Sequence, residues 1–346
     1  MERRGRAHAP AAGTILNALA MGTGAAFAID RHTEATVTLS REPLDPGVEN
    51  RPESDEPNDS NTPAVTGEIA NAPEADSRLI ERCVELIVAE LASDAAGIEF
   101  GRIETDSEVA MAAGLKSSSA AANAAILATL DALDIPIADL SEDSDREPSG
   151  TTDGRSAAGG TDGTERIEHG VEPPVTRIEA CRLGVRAARE VGVTVTGAFD
   201  DASASMLGGV TVTENSEDRL LVHDTDFERD VLVWTPPEKA YSSEADVERC
   251  RRVAPVAEVV ANRALAGEYE RAMTTNGFAY CGALGYSAEP MMEALTEVRG
   301  VSLSGTGPSV VAVGDRNALE RVKQDWSDRK GTTWLTRTNT NGARVA

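Results

Sequence analysis

Apolar positions recur at helical spacing in several separate stretches of the chain. Leu79, Ile80, Cys83, Leu86, Ile87 and Leu91 fall on one face of a predicted helix over 79–91. Ile126, Leu127, Leu130 and Leu133 do the same within a helix over 117–133, where alanine fills most other positions. Further helices are predicted over 176–191, 247–265, 269–279, 291–298 and 319–326. Threonine- and valine-rich runs mark strands at 33–39, 210–213, 231–234 and 310–313, with another strand entering Leu303. The run 193–196 reads as a turn or short strand. Strands and helices alternate without a strict βαβ rhythm, which predicts an α+β fold rather than a doubly wound sheet.

Two stretches break this pattern. Residues 45–77 are rich in acids, with one arginine (Arg51) and five prolines. Such a segment buries too little apolar surface to offset ordering, so its first part is expected to be a solvated loop. Residues 141–174 are rich in Asp, Gly, Ser and Thr, carry no apolar period, and read as a flexible insertion. At 346 residues the chain is long enough for two domains or one two-lobed fold.

Composition sharpens the picture. The 33 basic and 58 acidic residues leave a net charge of −25, and lysine occurs only at Lys116, Lys239, Lys323 and Lys330. A folded protein with a hydrated acidic surface fits a salt-rich cytoplasm, where ions screen self-repulsion. The charge disfavours nucleic acid or an anionic membrane as partner. Pro10, Asn17 and several glycines interrupt 7–28, so neither a membrane span nor a cleaved leader is expected there, and the cytoplasm is the expected location. Cys83, Cys181, Cys250 and Cys281 have no metal-ligand spacing and read as buried free thiols.

Three stretches carry candidate chemistry. In Ala112-Ala113-Gly114-Leu115-Lys116-Ser117-Ser118-Ser119-Ala120-Ala121, a glycine precedes three serines at a helix start. The unpaired N–H groups of a first helical turn attract anions, and Lys116 adds a full charge. A single serine would suffice to cap an ordinary helix. Neither GxxxxGK[ST] nor a complete GxGxxG is present, which disfavours P-loop and Rossmann enzymes. Gly305-Thr306-Gly307 between two strands is either a hairpin turn or a close backbone approach to phosphate. Asp200-Asp201, in a run ending at Gly208-Gly209, offers a carboxylate to accept a hydroxyl proton, or a helix cap.

In this order the three stretches resemble the GHMP kinase superfamily, and the lysine-containing run from Gly114 to Ala121 resembles its archaeal shikimate kinase branch. Gly13-Thr14-Ile15-Leu16-Asn17-Ala18 and Thr196-Gly197-Ala198-Phe199-Asp200-Asp201-Ala202 are similar to that branch as well. The resemblance implies a two-lobed GHMP fold with ATP between the lobes. Its domains would be 1–213, carrying the insertions near 45–77 and 141–174, and 214–346. It implies transfer of the γ-phosphate of Mg-ATP to the 3-hydroxyl of shikimate, in aromatic amino acid biosynthesis. Residues 112–121 would cradle the phosphates, Ser118 or Ser119 would help hold Mg²⁺, and Gly305, Thr306 and Gly307 would support the loop. The catalytic carboxylate would be Asp201, by its spacing from Gly208, or Asp200, by the local pattern; Asp201 is preferred.

Two features depart from the superfamily. The acid usual in its first motif is absent from 9–17, and Lys116 stands where most members have glycine. A cation should also meet the substrate carboxylate. Arg177, Arg182, Lys239, Arg249, Arg251 and Arg252 are candidates, with Lys239 the most site-like because it follows a strand.

Overall fold

A long hairpin organises the molecule: β1 (Arg3–Leu16) pairs antiparallel with β2 (Thr23–Ser40), the two joined through a 3-10 turn at Ala18–Ala20. The computed structural model describes residues 2–44, 62–92, 97–138, 175–194, 197–241 and 244–346. The strand expected at 33–39 is therefore only the end of a longer one. β1 escapes sequence patterning because its Arg, Gly, Ala and Pro residues favour strands weakly; pairing from Arg3–Leu39 to Leu16–Ala25 overrides that preference.

β3 (Ala64–Ile69), α1 (Arg78–Leu91), β4 (Phe100–Ser107) and α2 (Ser117–Ala132) follow. The expected solvated loop falls on 45–61, outside the described residues, whereas the later part of that acidic stretch contains β3, paired parallel with β4. The insertion expected at 141–174 also lies outside the described residues. β5 (Ile137–Ala138) and β6 (Val175–Thr176) flank it as a short parallel pair.

α3 (Arg177–Glu190) starts at a capping box, in which Thr176 and Glu179 satisfy each other's main-chain N–H. Residues 195–196 of the predicted turn or short strand lie outside the described residues. α4 (Phe199–Leu207), β7 (Val210–Glu214) and β8 (Arg219–Asp224) complete the first layer. Its sheet runs β13-β1-β2-β4-β3, with β7 on β2 and β8 on β7; β13 (Arg344–Val345) brings the chain's end back to β1. α2 is buried on nearly every side against β1, α1, α3 and α4, which explains its lack of a polar face.

The second layer is an antiparallel sheet, β10-β11-β9-β12, built from β9 (Asp230–Thr235), β10 (Gly300–Leu303), β11 (Val310–Gly314) and β12 (Thr332–Arg337). Its helices are α5 (Val247–Arg251), α6 (Ala254–Leu265), α7 (Tyr269–Leu284), α8 (Glu289–Ala294) and α9 (Arg316–Ser327). The single helix expected over 247–265 is two, and Pro255 sits in the first turn of the second, where its missing N–H costs nothing. One apolar core joins Ile15 and Phe27 of the hairpin to Val231, Leu232 and Val233 of β9, and to Trp326 of α9. The fold is mixed α+β, as expected, and all four cysteines are buried and free.

Candidate active site

The loop before α2 has an irregular backbone held from several sides. Ala112, Gly114 and Lys116 all take left-handed conformations, with φ of 55°, 79° and 64°. A Cβ on Gly114 would lie 2.2 Å from the Ser304 carbonyl oxygen, so no side chain fits there. The Ser304 hydroxyl donates to the Gly114 carbonyl at 2.8 Å, and the Ser309 amide donates to that of Ala113. The Ala240 and Ala12 amides hold the carbonyls of Ala112 and Leu115. The first helical bond of α2 runs from the Ala120 amide to the Lys116 carbonyl, leaving the amides of Ser117, Ser118 and Ser119 outside the helical ladder.

The β10–β11 hairpin turn meets this loop. The Gly305 amide donates to the Thr14 hydroxyl at 2.7 Å, and the Asn17 side-chain amide donates to the Gly305 carbonyl at 2.8 Å. Asn17 is fixed in turn by Asn276 and by the Tyr280 hydroxyl from α7. Gly305-Thr306-Gly307 is thus both a hairpin turn and a brace for the loop.

Lys116 points across to α4, where its Nζ lies 2.6 Å from Asp201 Oδ1, with both side chains mostly buried. No directed hydrogen bond satisfies that oxygen among the described residues, so the contact is one of charge. Asp200 is placed differently. It is 4% exposed, and its Oδ1 accepts from the Asn215 side chain at 2.7 Å, while Asn215 Oδ1 accepts from the Asp200 amide. Its other oxygen faces Gly24, where an added Cβ would lie 2.4 Å away. Neither aspartate caps α4: the cap position is Ala198, and the remote Asn215 side chain takes the Asp200 amide of the first turn.

Burial pushes the Asp200 carboxyl up to about 7, helped by the neighbouring Asp201 charge and opposed by Lys116 and Asn215. A raised folded-state value means that Asp200 holds its proton more tightly when folded. Its stabilising contribution is therefore complete below 3.8, the ordinary value, and is lost as pH rises through about 7. Asp200→Asn, a mimic of the protonated form, should gain stability over the native chain as pH rises from about 4 to about 8. Thermal melts of the two proteins across that range test this; parallel curves would contradict it.

A small cavity is lined by Asn17, Lys116, Asp200, Asp201, Gly305 and Thr306. A second, on the other side of Asp201, is lined by Ser118, Ser119, Gly184 and Ala198. Both open beside a cleft of about 540 Å³ whose walls include Ala18, Leu19, Arg189, Thr194, Asn215 and Arg251. Another groove of about 430 Å³, lined by Asp30, Arg229, Arg337 and Asn339, contains none of these residues.

The structure thus gathers Gly114, Lys116, Ser118, Ser119, Asp200, Asp201, Gly305 and Thr306. Ala112 and Ala113 serve through their carbonyls, Ser117 opens the helix, and Gly307 packs against the Tyr286 ring. Leu115 and Ala120 are core residues, and Ala121 packs at the core's edge. Thr14 and Asn17 come from the Gly13–Ala18 run that resembles the family, whereas Asn215 and Arg189 are additions that no local motif signals.

The cation candidates separate clearly. Arg177, Arg182 and Arg249 bond main-chain carbonyls of Met206, Asp218 and Gly282. Lys239 precedes Ala240 on the segment docked against Ala112, so it flanks the loop rather than the cleft, contrary to its ranking from sequence. Arg251 alone among the six lines the cleft.

Residues 78–156 match the family described as GHMP kinases N terminal domain. The chain is 49% identical over 341 residues to a shikimate kinase of Halobacterium salinarum, covering 99% of each. It is 42% identical to a shikimate kinase of Methanosarcina mazei, covering 99% of this chain and 97% of that one. Among solved structures it is similar to homoserine kinase from Cytophaga hutchinsonii, with a TM-score of 0.65 at 13% identity over 100% of this chain and 98% of that one. A mevalonate kinase structure gives a TM-score of 0.61 at 11% identity, covering 99% of each chain. With the loop, the buried Lys–Asp pair and the bracing hairpin in one place, and with near full-length likeness of this extent, the chain belongs to the archaeal-type shikimate kinase family of GHMP kinases.

Proposed function

We propose that the protein transfers the γ-phosphoryl group of ATP to the 3-hydroxyl of shikimate, giving shikimate 3-phosphate and ADP. The observation that carries this reading is the Lys116–Asp201 pair, set at the start of α2 beneath Gly305. The free amides of Ser117, Ser118 and Ser119, with the positive end of α2, suit phosphate oxygens. The narrow gap between Gly114 and the β10–β11 turn keeps that loop rigid.

Asp201 Oδ1, buried and without a directed hydrogen bond, accepts the proton of the 3-hydroxyl as its oxygen attacks the γ-phosphorus. The new O–P bond forms as the bond between the γ-phosphorus and the β–γ bridging oxygen breaks, and ADP leaves. Lys116 pairs with the carboxylate and offsets the charge brought by the phosphoryl group. Asp200 orients α4 through Asn215 and stays clear of the proton transfer.

Among the described residues no group of three or more His, Cys, Asp or Glu could hold a metal. That fits Mg²⁺, which takes few protein ligands and completes its shell with phosphate oxygens and water. Ser118 and Ser119, lining the cavity beside Asp201, are the hydroxyls that would hold it. When bound, it neutralises phosphate charge. Among the described residues no helix is long and apolar enough to cross a membrane, and we place the protein in the cytoplasm with small-molecule partners only.

An ADP-release assay in concentrated KCl, with shikimate, homoserine and mevalonate offered separately, tests the substrate. The high salt answers the net charge of −25. Turnover with shikimate alone is expected; turnover with homoserine or mevalonate and none with shikimate would overturn the assignment.

A further inference from the structure

We infer that Arg251 is the specificity-determining residue that receives the substrate carboxylate in the cleft beside Asp201. This rests on the shikimate reading and goes beyond it by naming the recognition contact.

The cleft adjoins the catalytic cavity directly, since Ala18, Leu19 and Thr194 line both. A molecule whose hydroxyl reaches Asp201 therefore extends into it. Its walls carry two cations, Arg189 and Arg251. Arg189 is already committed: its two terminal nitrogens both contact the Asp218 carboxylate at 2.6 Å, and one also donates to the Asn215 carbonyl. Its charge is neutralised and its donors are in use, so its part is to hold the Asn215 turn that fixes Asp200.

Arg251 is the reverse case. It ends α5, is exposed to the cleft, and has no hydrogen bond or ion pair among the described residues. That is unusual in this chain, where acids outnumber bases and arginines such as Arg82, Arg186, Arg229, Arg299 and Arg329 all sit against carboxylates. A guanidinium left unpaired beside the reacting centre matches a planar carboxylate in a fork-like contact. In shikimate the carboxylate on C1 and the 3-hydroxyl on C3 stand in a 1,3 relationship on one small ring. That spacing suits a cation in the cleft that adjoins the Asp201 cavity, and Ser216 and Thr194 along the same wall suit the remaining ring hydroxyls.

The test compares shikimate with its methyl ester, which keeps the ring and hydroxyls and loses the charge, in steady-state assays of the native enzyme, Arg251→Ala and Arg251→Lys. Arg251→Ala is expected to raise the KM for shikimate roughly ten- to a hundredfold, the range for a hydrogen bond to a charged group. Its kcat and its KM for ATP should stay within a few-fold, and Arg251→Lys should recover part of the loss. The ester should be poor for the native enzyme and no worse for Arg251→Ala. An unchanged shikimate KM in Arg251→Ala, or an equal loss with the ester, would overturn the inference while leaving the shikimate reading intact. A native enzyme inactive on shikimate would overturn both.

Discussion

Asp201→Asn should lower kcat by about 10²- to 10⁴-fold, the usual contribution of a positioned general base. ATP affinity should change little, because the phosphate-facing amides of α2 are untouched and a base acts mainly in the transition state. The asparagine is isosteric, so the contact with Lys116 loses its charge but not its shape. Asp200→Asn is the matched control. Asp200 is buried, with one oxygen bonded to Asn215 and the other facing Gly24, so it is the less accessible of the two carboxyls. Its variant should retain most of the turnover. Near-normal kcat in Asp201→Asn with a collapse in Asp200→Asn would move the base one residue back.

Lys116→Met should be damaging in two measurable ways. Turnover should fall by roughly the same orders as for Asp201→Asn, since the charge proposed to face the phosphoryl group is gone. Stability should also fall. Removing one partner of a buried ion pair leaves the other charge uncompensated, at a cost of about 3–5 kcal/mol. The Asp201 side chain is 18% exposed, which places the expected loss at the lower end. The double variant Lys116→Met/Asp201→Asn should regain most of that stability while remaining inactive, because no charge is then stranded. Denaturant titrations of the three variants measure this. A double variant as unstable as the sum of the singles would show that the pair does not act as a unit.

The longer helices were legible from their apolar spacing, and α1 and α3 match their expected spans within a residue or two. The nine-residue α4, which carries Asp200 and Asp201, was not expected as a helix. β1, β4 and β8 were not legible, since Arg, Gly, Asp and Glu among their residues hide any strand period, and register with neighbours fixes them instead. The site divides the same way. The loop from Gly114 to Ser119 announces itself locally, because glycine, lysine and three serines precede an apolar helix. Its partners are remote: Thr14 reaches Gly305, and Asn215 reaches Asp200, through contacts that only the fold creates. Arg189 and Arg251 look alike as sequence. Only the position of Asp218 shows that one is spoken for and the other is not.

The pairing of Lys116 with Asp201 is also what gives the lysine a purpose. In the sequence it reads as an added charge on a phosphate loop; in the fold its ammonium meets the Asp201 carboxylate. On the proposed mechanism, phosphate binding and proton acceptance are joined within this one ion pair. Phosphorus NMR of the product formed from ATP and shikimate in concentrated KCl tests it most directly, run with the native enzyme and with Asp201→Asn. A single phosphomonoester coupled to the C3 proton of shikimate, formed by the native enzyme and not by the variant, is the expected result. A phosphoryl group at another hydroxyl, or equal product from the variant, would contradict it.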